Sequence, residues 1–186
     1  MKIRILSRDN ASLNIISFLL LVTTTLGCGV LFNVNRVMRL DPIVLVQEDL
    51  PMMRLTESDR LGGFPKESSI LVGCDQQWSD GHLVVRYYLF DTSYTAKKAR
   101  ANPREHTVAA PANYQSELNP TDVIGDATWH LIPKRQWEKG MTDIYFVKSN
   151  VGVHVMTRGD SEYQLQFARD IARHIEAKIA AVLPKK

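Results

Sequence analysis

Five histidines, His82, His106, His130, His154 and His174, are spread along the chain. An imidazole can ligate a metal or move a proton near neutral pH. His130 and His154 fall on strands expected to be neighbours and could converge on a metal. A zinc site needs three or four ligands and no third is visible, so the simpler expectation is that one or both lie on an exposed sheet face. Asp75 and Asp80 flank a predicted turn and have the residue types of an acid/base pair. Turn aspartates more commonly bond their own backbone. Glu105 and His106 stand in an aperiodic stretch, residues 104–120, and are the acid/base candidates of a small hydrolase. The segment Pro133 to Gly140 gathers Lys134, Arg135 and Lys139 around Trp137. Such a tip can touch headgroups, bases or a protein partner, because the ring supplies contact area and the cations supply attraction. The plainer expectation is an exposed hairpin with Trp137 folded back onto the sheet edge. No Gly-Lys-Ser/Thr phosphate loop, Gly-x-Ser-x-Gly, His-Glu-x-x-His or Cys-x-x-Cys occurs. The sequence therefore assigns no catalytic residue, no metal and no cofactor.

What positions these residues begins at the N-terminus. Leu13 to Phe32 holds no charged residue and follows Lys2, Arg4 and Arg8. Its length is what an α-helix needs to cross the hydrocarbon of a bilayer, about 20 residues. Three fates fit. The segment is an uncleaved transmembrane helix, a cleaved signal peptide, or a lipoprotein signal cut before Cys28. Thr25-Leu26-Gly27-Cys28 resembles a bacterial lipobox at Gly27 and Cys28 and departs from it at Thr25 and Leu26. The apolar sequence continues through Gly29 to Phe32, which favours the uncleaved helix. Basic residues before the segment outnumber those just after it, so the N-terminus reads as cytoplasmic and the rest as extracytoplasmic.

The net charge is +3, and residues 1–12 carry +2 of it, leaving +1 for the remainder. A nearly neutral domain lacks the basic field of a general nucleic-acid binder. Only Cys28 and Cys74 are present, one of them in the anchor, so no disulfide framework is possible. Cys74 is expected to pack as a small apolar residue.

Residues 33–69 read as a juxtamembrane linker, with Ile43 to Val46 as a possible edge strand. The domain is expected over 70–186. Ile70 to Cys74 and His82 to Phe90 are predicted strands on a turn at Gln76 to Gly81. Asp91 or Thr92 caps a short helix, Ser93 to Ala101, with Ala96 and Ala99 inward. Residues 104–120 are expected to be a loop. Ala127 to Ile132 is a strand. Thr142 to Lys148 and Val151 to Thr157 form a hairpin, since Val151, Val153 and Val155 alternate with Gly152, His154 and Met156. Ser161 to Leu183 is a helix with Leu165, Ala168, Ala172, Ile175, Ile179 and Val182 on one stripe and Arg169, Arg173, Glu176 and Lys178 mostly outside it. The order β-β-α, loop, β-β-β-α predicts an α+β fold, an antiparallel sheet with both helices on one face.

Gly125-Asp126 before a strand, Lys148-Ser149-Asn150 at a hairpin turn and the final amphipathic helix resemble small bacterial envelope domains of the PsbP/Mog1-like kind and uncharacterised lipoproteins. The resemblance covers about half the chain, and it implies a non-catalytic accessory or binding module. The expectation is a membrane-tethered, non-enzymatic extracytoplasmic domain that binds a protein or envelope component. Its partners are the membrane, through residues 13–32, and that component, with no nucleic acid. The alternatives are a small hydrolase using residues 104–120 and a small-molecule carrier. The carrier requires an apolar cavity between sheet and helix.

Overall fold

Alternation in the strands sets both faces of the sheet. The computed structural model describes residues 36–101, 114–116, 119–131 and 140–184. The segment 13–32 with Cys28, the pair Glu105 and His106, and the tip residues Lys134, Arg135, Trp137 and Lys139 lie outside the described residues. The elements are β1 (Leu55–Leu61), β2 (Ile70–Trp78), β3 (Leu83–Phe90), α1 (Ser93–Ala101), β4 (Tyr114–Ser116), β5 (Ala127–Leu131), β6 (Met141–Lys148), β7 (Val151–Arg158) and α2 (Glu162–Val182). They form an α+β fold around one seven-stranded sheet in the order β1-β2-β3-β7-β6-β5-β4. Every neighbouring pair is antiparallel.

Side chains two apart on a strand share a face. Leu83, Val85, Tyr87 and Leu89 of β3 join Val151, Val153 and Val155 of β7 and Ile144 and Phe146 of β6 in the larger core. α2 covers this face. Ser161 caps the helix by accepting the Gln164 N–H at 3.3 Å. Ala168, Ile171, Ala172, Ile175 and Ile179 form its buried stripe. Each fully buried isoleucine contributes about 1.5–3 kcal/mol relative to exposure, so this stripe, rather than helix propensity, fixes α2 to the sheet.

The same core takes in Val37, Leu40, Ile43 and Leu45. The expected linker is therefore part of the fold from Arg36 onward, and Arg36–Lys186 is a single unit. Ile43 to Val46 is not a strand. The Ile43 and Val44 N–H groups both donate to the Leu40 carbonyl, turning the chain, and a short 3-10 helix, Gln47–Asp49, follows. Polar groups of the sheet meet this irregular segment: Leu45 N–H donates to the Tyr87 hydroxyl at 3.1 Å, and Gln76 Nε2 donates to the Leu45 carbonyl at 2.8 Å. Asp49 then joins α2, accepting from Lys178 Nζ and lying 3.0 Å from His174 Nε2.

α1 packs on the opposite face. Ala96 and Ala99 meet Ile70, Tyr88, Phe90, Tyr145 and Val147 in a second cluster. The expectation of two helices on one face is thereby corrected. Tyr88 and Phe90 alternate with the residues under α2, so their rings stand on the far side, and only there do the two alanines find apolar surface. Thr92 caps α1 as expected, accepting the Thr95 N–H at 3.1 Å.

Two further boundaries differ from the pattern. β2 continues to Trp78, because Asp75, Gln76 and Gln77 pair with β3, and the turn is confined to Ser79-Asp80-Gly81, all at positive φ. Residues 114–116, within the expected loop, pair with β5 as a short edge strand. Gly125-Asp126 and Ser149 belong to one arrangement: Asp126 N–H donates to the Val147 carbonyl at 2.7 Å, and Ser149 N–H donates to Asp126 Oδ2 at 2.9 Å.

Candidate recognition face

On the α1 face a single cross-strand row collects charged and aromatic side chains. Asp59, Asp75, Arg86, His154, Tyr145 and Trp129 are successive Cα partners from β1 through β5. Directly opposed side chains on one face stand about 4.5–5.5 Å apart at Cβ, so the register itself brings these groups together. Arg86 Nε donates to Asp75 Oδ2 at 2.8 Å. The Asp75 carboxyl is mostly covered, and the Arg86 side chain remains 42% exposed. Burial opposes the arginine's charge, but the Asp75 hydrogen bond and charge outweigh it and hold the guanidinium more firmly protonated than usual. Burial pushes the Tyr88 phenol up, against the pull of Arg86.

The rings continue the row. Tyr145 and His154 meet edge to face at 4.6 Å between centroids, Tyr88 and His154 at 6.2 Å, and Trp129 and Tyr145 lie at 5.8 Å. These are the spacings at which aromatic pairs attract beyond simple burial. Gly152 makes the packing possible. Any Cβ at that position would overlap the Tyr145 hydroxyl and crowd the Phe90 ring.

The metal site and acid/base pair weighed against the plainer expectations are not assembled. His130 and His154 are separated by β6 and face opposite sides of the sheet, since His130 pairs with Ile144 and His154 with Tyr145. They cannot share a metal. Among the described residues no three His, Cys, Asp or Glu side chains are grouped to hold one. Asp75 is a mid-strand residue paired with Arg86, and Asp80 stands in the turn, so they form no acid/base pair. Cys74 is buried on the α2 face. Burial pushes its thiol up, so it stays protonated and is a poor nucleophile.

Two clefts flank these features. One, of about 310 Å³, lies between residues 38–44 and β1–β2, with the Arg60–Asp41 ion pair on its rim. The other, of about 440 Å³, opens at the turn end of the α1 face beside Arg86, Met156 and Arg158. Sequence reasoning missed Arg86, Tyr88, His154 and Tyr145 as a group. The available signal was that the strand positions alternating with the valines carry charges and rings rather than the small polar residues of a plain solvated face.

No family model matches the chain, and no curated protein matches it. Among solved structures it is similar to the extracellular domain of PknH from Mycobacterium tuberculosis. The identity is 12% and the TM-score 0.45, and the match covers 80% of this chain and 100% of that one.

Proposed function

We propose that the chain is a membrane-tethered, non-enzymatic domain held outside the cytoplasm, whose α1 face binds a protein or another envelope component. The observation that carries this reading is the row Asp75, Arg86, His154 and Tyr145. Charged and aromatic groups on central strands are held in fixed geometry by their neighbours, as recognition requires. The carboxylate of the row, Asp75, is bonded to Arg86 rather than free to act as a base, which favours binding over turnover. The tether is residues 13–32, kept as a helix or replaced by a lipid on Cys28. Lys134, Arg135, Trp137 and Lys139 are proposed, from sequence alone, as a second contact with the same partner. Close packing weighs against a carrier: Val85, Val153, Ile175 and Ile179 are fully buried between sheet and α2.

The test uses the full-length protein in its membrane. A photo-crosslinking residue replaces Gln77 on the α1 face or Ala180 on the outer side of α2. A defined adduct from position 77 that is lost with Arg86→Ala, and none from position 180, is the expected result. Equal adducts from both positions would discard the α1 face as the recognition surface. Protease added to intact spheroplasts should remove the domain, and its survival would reverse the topology. Hydrolysis of a generic ester, peptide or glycan by the pure protein, abolished by one polar substitution, would replace the binding reading with an enzymatic one.

A further inference from the structure

We propose that the cleft of about 440 Å³ at the turn end of the α1 face binds a small amphipathic anion, a carboxylate or phosphate monoester carried on a short apolar chain. The proposal rests on the reading of that face as the recognition surface and names the ligand chemistry of one part of it. The volume lies in the range of small-ligand sites, about 300–1,000 Å³. Val84, Met141 and Met156 form its apolar floor, with Arg86 and Arg158 beside them. Val84 and Met156 are Cα partners, as are Met141 and Arg158, so these side chains share one face of three adjacent strands. Unbranched thioethers adapt to an acyl or alkyl chain more readily than branched side chains do.

The charges suit an anion. Arg86 uses Nε for Asp75, and its two terminal nitrogens have no described hydrogen bond. Among the described residues the Arg158 guanidinium has neither a hydrogen bond nor an ion pair. The rows of Arg86 and Arg158 are four residues apart along β7, about 13 Å at 3.3 Å per residue. Two arginines can close that gap on one anion lying over Met156, and a guanidinium fork matches both carboxylate and phosphate oxygens. Among the described residues no carboxylate lines the cleft. Three stand near it: Asp75 is bonded to Arg86, Asp143 is Met156's partner on β6, and Asp160 accepts the Gly140 N–H at 3.1 Å. With those acids close by, a single arginine would leave little net attraction, so Arg158 is the group on which anion selectivity turns. The 310 Å³ cleft lacks this property, because Asp41 and Asp59 line it beside Arg39 and Arg60 and balance their charge, and Asp41 pairs with Arg60.

The experiment is a titration of the full chain in lipid nanodiscs with methyl-labelled methionine, read by NMR. Octanoate and octyl phosphate should each give saturable shifts of the Met141 and Met156 methyls, with Met52 and Met53 unmoved. Acetate, which lacks the chain, and 1-octanol, which lacks the charge, should bind at least tenfold more weakly. Arg158→Ala, an exposed change that leaves the Asp75–Arg86 pair intact, should weaken octanoate about tenfold or more and leave octanol unchanged. Arg86→Lys, which keeps a cation beside Asp75 but removes the fork, should weaken octyl phosphate as well. Equal binding of octanol and octanoate, no saturable shift with any probe, or an Arg158→Ala protein that binds octanoate like the wild type would each overturn the proposal. If the adduct from position 77 persists in such a case, the recognition face stands and only this ligand class falls.

Discussion

Asn150 holds Val37 by both ends of its side-chain amide. The Val37 N–H donates to Oδ1 at 2.8 Å, and Nδ2 donates to the Val37 carbonyl at 3.0 Å and to the Phe90 carbonyl at 2.9 Å. Asn150 is almost completely buried. One side chain at the β6–β7 turn thus satisfies three backbone groups on two distant stretches. A buried group left unsatisfied costs about 1–3 kcal/mol. Asn150→Ala should therefore lower the stability by about 2–4 kcal/mol in urea unfolding. Asn150→Asp should do at least as much harm, because a carboxylate cannot donate to either carbonyl. Unchanged midpoints for both would mean that water replaces the clamp at no cost.

The clamp also moves the useful cut site. A chain starting at Arg36 should fold. One starting at Leu40 keeps Leu40, Ile43 and Leu45 in the core but loses Val37 and its clamp, so its urea midpoint should fall. One starting at Ile70 loses all four core side chains and β1, and should aggregate. A well-folded 70–186 fragment, judged by dispersed amide NMR signals, would return residues 36–69 to the status of a linker.

Ile175 is fully buried in the middle of the α2 stripe, in one core with Val153 and Val155. Ile175→Ala removes its methyl groups and leaves a cavity, at a typical cost of about 2–5 kcal/mol. The melting temperature should drop by several degrees at least. Lys178 is not the neutral outer position that the helical pattern suggests, because its ammonium is largely covered and bonded to Asp49. Ala180→Ser, on the exposed side, is the proper control and should change the midpoint little. Equal effects of Ile175→Ala and Ala180→Ser would remove α2 as the cover of the sheet.

Burial alone would raise the Asp49 carboxyl. Hydrogen bonds from Lys178, the Val46 N–H and His174 outweigh it and lower the pKa from 3.8 to about 2. The folded value lies below the unfolded one, so the stabilisation is complete above about pH 4 and disappears as the pH falls to about 2. His174 is half-exposed, and screening reduces the effect to about 1 kcal/mol. Asp49→Asn should lower stability at pH 7 by about that amount, and the gap to the wild type should close between pH 4 and pH 2. A gap that stays constant across this window would show that the carboxylate's charge is not what matters.

Legibility followed periodicity. α1 spans Ser93–Ala101 as the capping and breaking residues indicated, and β3, β6, β7 and α2 fell within a residue or so of their alternating or helical patterns. The segment 36–50 has no period because it is neither strand nor long helix. Val37, Leu40, Ile43 and Leu45 are placed by tertiary packing alone. β1, Leu-Thr-Glu-Ser-Asp-Arg-Leu, is an edge strand with mostly exposed side chains, so no apolar alternation marks it. The side taken by α1 depended on the parity of Phe90, a one-residue matter that flips a whole face. The row from Asp75 to Trp129 depends on register across five strands, which no single strand encodes.

The strand order carries a kinetic consequence. β1-β2-β3 and β4-β5-β6-β7 are each built from sequential neighbours, and among the described strands the two groups pair along β3 and β7, where Leu83 faces Thr157 and Leu89 faces Val151. Each group can assemble from contacts near in sequence. The β3–β7 seam must instead close a loop of about 60–75 residues before any contact along it is rewarded. Formation of that seam is then the slow event in folding, and Val85 and Val155, partners at its middle, are where trimming a methyl should retard refolding most. The same trimming at the outer pair β1–β2 should act mainly by hastening unfolding.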